Sequence, residues 1–139
     1  MITTEDVEEV CVTQTTNRIF DMVIAIAEGN QKKALELYED LLSLKEPPMR
    51  ILFLIARQFN QLYQVKLLAK EGLSSAEIAK QAGIVPFAMK KYQVQAKSFS
   101  VEELRGAVEE CGASEEAVKT GKMNDRLSVE LLIMKYSKR

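Results

Sequence analysis

Histidine is absent from the whole chain. That removes the commonest general base, the commonest metal ligand and every Ser-His or Cys-His pair. Lys, Asp and Glu remain, but no two carboxylates stand in a context that would tune them for acid–base work. The two cysteines, Cys11 and Cys111, are far apart and form no ligand spacing. They read as buried reduced thiols. There is no apolar run near the ~18 residues a membrane span needs, no secretory leader and no Asn-x-Ser/Thr sequon. Together these point to a reducing cytoplasm and no membrane. Phosphate-binding loops are missing too. Gly121-Lys122 is followed by Met123, and Glu116 stands where the first glycine of such a loop belongs. No catalytic, metal or cofactor residue can be nominated, and the chain is not expected to be an enzyme.

The 139 residues suit one domain whose burial needs no disulfide or metal. Apolar residues are 47% and charged residues 28%, which excludes a disordered chain. Nineteen basic residues face twenty acidic ones, so the net charge of −1 gives no general reason for nucleic-acid binding.

No window alternates apolar and polar residues for long, so strands are not expected. Capping residues and glycines instead divide the chain into helices. Thr3 to Cys11 reads as a short amphipathic turn. A helix from Thr16 or Asn17 carries Ile19, Phe20, Val23, Ile24 and Ala27, and Gly29 stops it. Asn30 caps a second helix with Ala34, Leu35, Leu37, Tyr38, Leu41, Leu42 and Leu44 on one stripe, and the two form an antiparallel hairpin. Pro47 and Pro48 open a third helix, about Met49 to Lys70. Its segment Ile51 to Ala56 is apolar on every side and belongs at the centre of a bundle. Ser74 to Glu77 is a capping box for a short helix ended by Gly83. The next helix starts near Pro86, with Val85, Met89, Tyr92, Ala96 and Phe99 on its apolar stripe. Ser100 to Glu103 opens a helix ending near Cys111-Gly112. A short helix from Ser114 follows, and Asn124 or Asp125 caps a last one bearing Leu127, Leu131, Leu132, Ile133, Met134 and Tyr136. The expectation is an all-α bundle of about five to seven helices, with Met89, Tyr92 and Leu131 in its core.

Three patterns could carry function. Leu73 to Ile84 has the cadence of a helix-turn-helix, which would place Pro86 to Phe99 in a DNA groove with Lys90, Lys91 and Gln93 on the duplex. Against this, Pro86 and Phe87 stand where polar groups should meet bases, and the apolar stripe runs through to Phe99. Gly29-Asn30 to Tyr38 has the form of one tetratricopeptide unit, but the repeat period is absent. On the third helix, Arg50, Arg57, Gln61 and Gln64 fall on one face. Solvated faces favour Lys and Glu, whereas Arg is enriched at interfaces. These four residues are therefore the candidate subunit contact.

In order and spacing, several segments resemble the C-terminal part of the bacterial DNA polymerase III delta subunit family. They include Ile19 to Asn30, Lys33-Ala34-Leu35, Pro48 to Leu52, Ala56 to Phe59, Gln64-Val65-Lys66, Glu77-Ile78-Ala79, Gly83-Ile84, Lys90-Lys91, Ala96-Lys97 and Val129 to Leu132. The resemblance covers about 17–138. It implies a helical collar domain that assembles a clamp loader, the complex that places a sliding clamp on primed DNA. The implied partners are the delta prime and gamma/tau subunits, with clamp and DNA reached only through the parent protein. It implies no cofactor here, with polymerase activity residing in the holoenzyme. Residues 1–16 are similar to the end of the preceding AAA+ lid domain, and 17–139 to the collar, so the chain is expected to be a fragment. The competing reading is a helix-turn-helix DNA-binding regulator.

Overall fold

In the computed structural model, which describes residues 4–137 and side chains at 15 and from 17 to 137 except Phe87, the apolar run of the third helix lies at the centre. Seven α-helices surround or include it: α1 (Thr4–Ala27), α2 (Gln31–Ser43), α3 (Pro48–Lys70), α4 (Ser75–Ala82), α5 (Met89–Ala96), α6 (Val101–Lys119) and α7 (Asp125–Tyr136). A 3-10 turn, Pro86–Ala88, leads into α5. No strand occurs among the described residues. The architecture is the all-α bundle the sequence predicts.

α3 packs against α1, α4, α5, α6 and α7, while α1 pairs with α2 and α6 with α7. Pro48 occupies the first turn of α3, where its missing N–H leaves no bond unmade. Ile51, Ile55, Phe59 and Leu62 recur at helical spacing and are fully buried. Phe59 meets Phe99 edge-to-face at 5.7 Å between ring centres, and Tyr136 at 6.2 Å. Burying one such side chain stabilises the fold by about 1.5–3 kcal/mol.

Helix ends follow local chemistry. Asn30, Ser74, Ser100 and Asn124 each accept an N–H bond from the first turn that follows. Ser100 and Glu103 form the full reciprocal box, at 3.0 Å in both directions. Gly83, at φ 72°, closes α4 in the left-handed region. Lys45 takes the same conformation after α2, at φ 64°, a position usually given to glycine.

Several expectations need correction. The turn expected from Thr3 to Cys11 is part of α1, which runs unbroken from Thr4. No Gly or Pro lies inside it, and its threonines cost only tenths of a kcal/mol each in propensity, less than a new nucleation. Thr3 and the Cys11 side chain lie outside the described residues. α6 likewise passes through Gly112, because the inward stripe Leu104, Ala107 and Cys111 outweighs the ~1 kcal/mol cost of one helical glycine. It ends only at Thr120, before Gly121 at φ 76°. Leu131 is not core: it is 43% exposed and Leu127 46%. α7 instead turns Ser128, Val129, Leu132 and Ile133 inward. Val85 and Leu44 are exposed rather than on apolar stripes, because Val85 precedes the 3-10 turn and Leu44 lies past the last turn of α2. Met89, Tyr92, Ala96 and Phe99 are buried as expected, although α5 ends at Ala96 and Phe99 lies in the following turn. Finally, the Ile51 to Ala56 segment is apolar all round but not buried all round, since Phe53 is 65% exposed.

Candidate assembly surface

The inward face of α3 is finished by a polar network. Gln58 Nε2 donates to Gln95 Oε1 at 2.7 Å. The Tyr92 hydroxyl donates to Gln58 Oε1 at 3.3 Å, and Gln95 Nε2 donates to the Phe20 carbonyl at 3.3 Å. Phe20 and Tyr92 also meet edge-to-face at 5.4 Å. Three helices, α1, α3 and α5, are thereby locked in register, and no buried side-chain polar atom among the described residues lacks a partner. Burial raises the Tyr92 hydroxyl pKa, an effect that the Arg57 guanidinium nearby partly offsets.

The opposite side of α3 faces solvent. Arg50, Phe53, Arg57 and Asn60 are exposed and follow a 3-4-3 spacing, so they form one stripe, which half-buried Gln64 continues. Of the four residues singled out in the sequence, the structure brings Arg50, Arg57 and Gln64 onto this side. Gln61 is not there: it is 8% exposed, and its Nε2 donates to the Gly83 carbonyl at 3.5 Å, at the end of α4. Arg50 Nε pairs with Glu46 at 3.2 Å, and Glu46 also accepts from the Thr15 hydroxyl at 3.1 Å. Arg57 makes no ion pair among the described residues. The sequence reading missed Phe53, although its place three residues after Arg50 and four before Arg57 put it on the same face. A phenyl ring left in water between two arginines forfeits burial energy the fold offers elsewhere. Aromatic and Arg residues are the side chains enriched in interface cores.

Nothing among the described residues resembles an active site. No cluster of three or more Cys, Asp or Glu among the described residues could hold a metal. The Cys111 thiol is buried and pushed up to about 12, first by desolvation and then by Glu110. It is therefore a protonated, inert thiol. The Tyr38 hydroxyl, likewise raised to about 12 by burial, donates to the Arg126 carbonyl at 2.9 Å and ties α2 to α7. In the segment with helix-turn-helix cadence, α5 buries Met89, Tyr92, Gln95 and Ala96 against the bundle. Lys90 and Lys91 are exposed, while the Gln93 amide donates to Ser75 Oγ at 3.0 Å.

A family profile described as the DNA polymerase III delta subunit, C-terminal domain, matches residues 16–136. The chain belongs to that family. It is 33% identical over 138 residues to the DNA polymerase III subunit delta of Bacillus subtilis (strain 168), covering 99% of this chain and 40% of the relative. The solved Bacillus subtilis DNA clamp loader delta protein matches its fold with a TM-score of 0.85 at 33% identity, over 99% of this chain and 41% of the other. The chain thus spans about two-fifths of the length of these relatives. Membership in the delta C-terminal family accounts for the α4–α5 unit as part of the family fold and leaves the regulator reading without support. No helix among the described residues is long and apolar enough to cross a membrane.

Proposed function

We propose that this chain is the assembly (collar) domain of a clamp-loader delta subunit and that the outer side of α3 is its contact with neighbouring subunits. The observation that carries the surface assignment is Phe53, 65% exposed between Arg50 and Arg57 on the same stripe. An aromatic anchor flanked by guanidinium groups can fill an apolar pocket while its flanks meet carboxylates and backbone carbonyls. Gln64 extends the strip, whereas Gln61 serves the α3–α4 junction.

The partners in this reading are the delta prime and gamma/tau subunits. Contacts with sliding clamp and DNA belong to other parts of the parent protein and complex, and nucleotidyl transfer belongs to the holoenzyme. The domain itself does no chemistry and works in the cytoplasm. Residues 17–139 form the collar, and 1–16 end the preceding AAA+ lid domain. That boundary falls inside α1, so the helix would join the two parts rigidly.

Sedimentation of the chain with purified delta prime and gamma/tau subunits tests this reading. A co-sedimenting complex is expected. A chain that stays alone at concentrations where the other subunits assemble would refute it.

A further inference from the structure

The near-neutral total hides a strong segregation of charge. Residues 47–100 hold eight of the nineteen basic residues and two of the twenty acidic ones, so this stretch carries +6 and the rest of the chain −7. α3 and α5 contain no carboxylate at all. The fold brings them side by side. Past Leu62, α3 and α5 flank a groove of about 490 Å³. Val65 and Ala96, buried in the core, lie beneath it, Ala69 is exposed within it, and Lys66, Lys70 and Lys97 line it. Gln93 lines the same groove and is held by its bond to Ser75. On the outer surface of α5, Val94 is 60% exposed between Lys90 and Lys97, one turn from each.

None of Lys66, Lys70, Lys90, Lys91 and Lys97 forms an ion pair among the described residues. Elsewhere the exposed helices mix both signs, as with Arg105 and Glu109 or Lys119 and Glu115. Like charges gathered on one surface repel one another and gain no ion-pair energy within the chain. They do complement a ligand of opposite charge.

We infer that the α3–α5 groove docks an acidic amphipathic helix of a partner protein. Its aliphatic side chains cover Ala69 and the methylene stems of Lys66, Lys70 and Lys97, and its carboxylates meet their ammonium groups. The groove does not suit a nucleic-acid backbone. Its lining has no aromatic ring on which a base could stack and no arginine to grip a phosphate with two bonds. It is also separate from the assembly surface, because Lys66 follows Arg57 by nine residues, two and a half turns, and so points away from the Arg57 stripe. The inference rests on charge and shape and does not depend on the clamp-loader reading.

Fluorescence anisotropy with three labelled probes tests it: a designed helix of about 18 residues with a Leu/Ala stripe flanked by Glu, the same helix with Gln for Glu, and an oligothymidylate. The Glu helix should bind this chain, weaken with added salt, and lose at least about tenfold in affinity in the Lys66→Glu/Lys70→Glu/Lys97→Glu variant. The Gln helix should lose a similar factor, and Arg105→Ala, on the exposed side of α6, should leave binding unchanged. Ala69→Trp, which fills the groove from an exposed position, should also abolish binding and keeps the test decisive if the triple variant fails to fold. Absence of Glu-helix binding would overturn the inference. So would Glu-helix binding that survives these changes, or lysine-dependent oligothymidylate binding tighter than that of the Glu helix.

Discussion

The two sides of α3 are built from different chemistry although they belong to one helix. The inner side is Ile51, Ile55, Phe59 and Leu62, closed at its edge by the Gln58–Gln95–Tyr92 bonds. The outer side is Arg50, Phe53, Arg57 and Asn60. The inner residues repay their cost within the chain through burial and hydrogen bonding. The outer ones include an aromatic ring that is 65% exposed and, in Arg57, a guanidinium with no ion pair among the described residues. In the proposed assembly role, the inner side holds the domain together and the outer side is offered to other subunits, and substitutions on each side should sort the same way.

The largest effect belongs to the inner side. Phe59→Ala removes a ring that is fully buried, edge-to-face with Phe99 and tilted against Tyr136. A loss of about 3–5 kcal/mol is expected by urea denaturation; a loss below about 1 kcal/mol would mean that the centre of the bundle has been misplaced. Gln58→Ala should come next, at about 1–3 kcal/mol, because it strands the Gln95 carbonyl oxygen and the Tyr92 hydroxyl inside the protein. Adding Gln95→Leu should recover part of that loss. If it does not, the network is not the cause.

Neighbouring residues on α6 sharpen the same contrast. Cys111 points inward with its thiol pushed up to about 12, and the ordinary value near 9.0 applies once it unfolds. Above pH 9 the unfolded chain therefore loses a proton that the folded chain keeps. Stability should fall as pH rises from about 9 towards 12, by at most about 1.4 kcal/mol per pH unit for this group. Cys111→Ala should flatten that slope; an unchanged slope would assign it to other groups, Tyr38 among them. Gly112 points outward, and no heavy atom lies within 4 Å of where a Cβ would stand. Gly112→Ala should raise stability by about 0.5–1 kcal/mol, measurable as a higher melting temperature. A lower one would mean that the helix is strained there.

Much of this contrast was legible in the sequence. The spacing of Arg50 and Arg57, the Pro47-Pro48 start and the four side-chain caps are local signals, and local geometry settles them. What escaped depended on neighbours. A run such as Ile51 to Ala56 says that a segment is apolar, not which of its residues the bundle covers, so Phe53 was assigned to the core. Leu131 was misjudged for the same reason, since only the packing of α7 decides that Ser128 faces in and Leu131 out. Gly112 was read as a stop because a helix end and a tolerated helical glycine look alike until the following turn is seen. Gln61 shares a face with Arg57 by angle alone; the Gly83 carbonyl draws it under the helix.

The most direct test of the account is a paired measurement on Phe53→Ala and Arg57→Ala: urea stability of the chain, and its affinity for purified delta prime and gamma/tau subunits. Each substitution should change stability by less than about 0.5 kcal/mol, as expected at exposed positions. Each should weaken assembly by about 1–2 kcal/mol or more, the scale of interface anchors. Unchanged assembly with a destabilised chain would contradict the account and place both residues in the service of the fold.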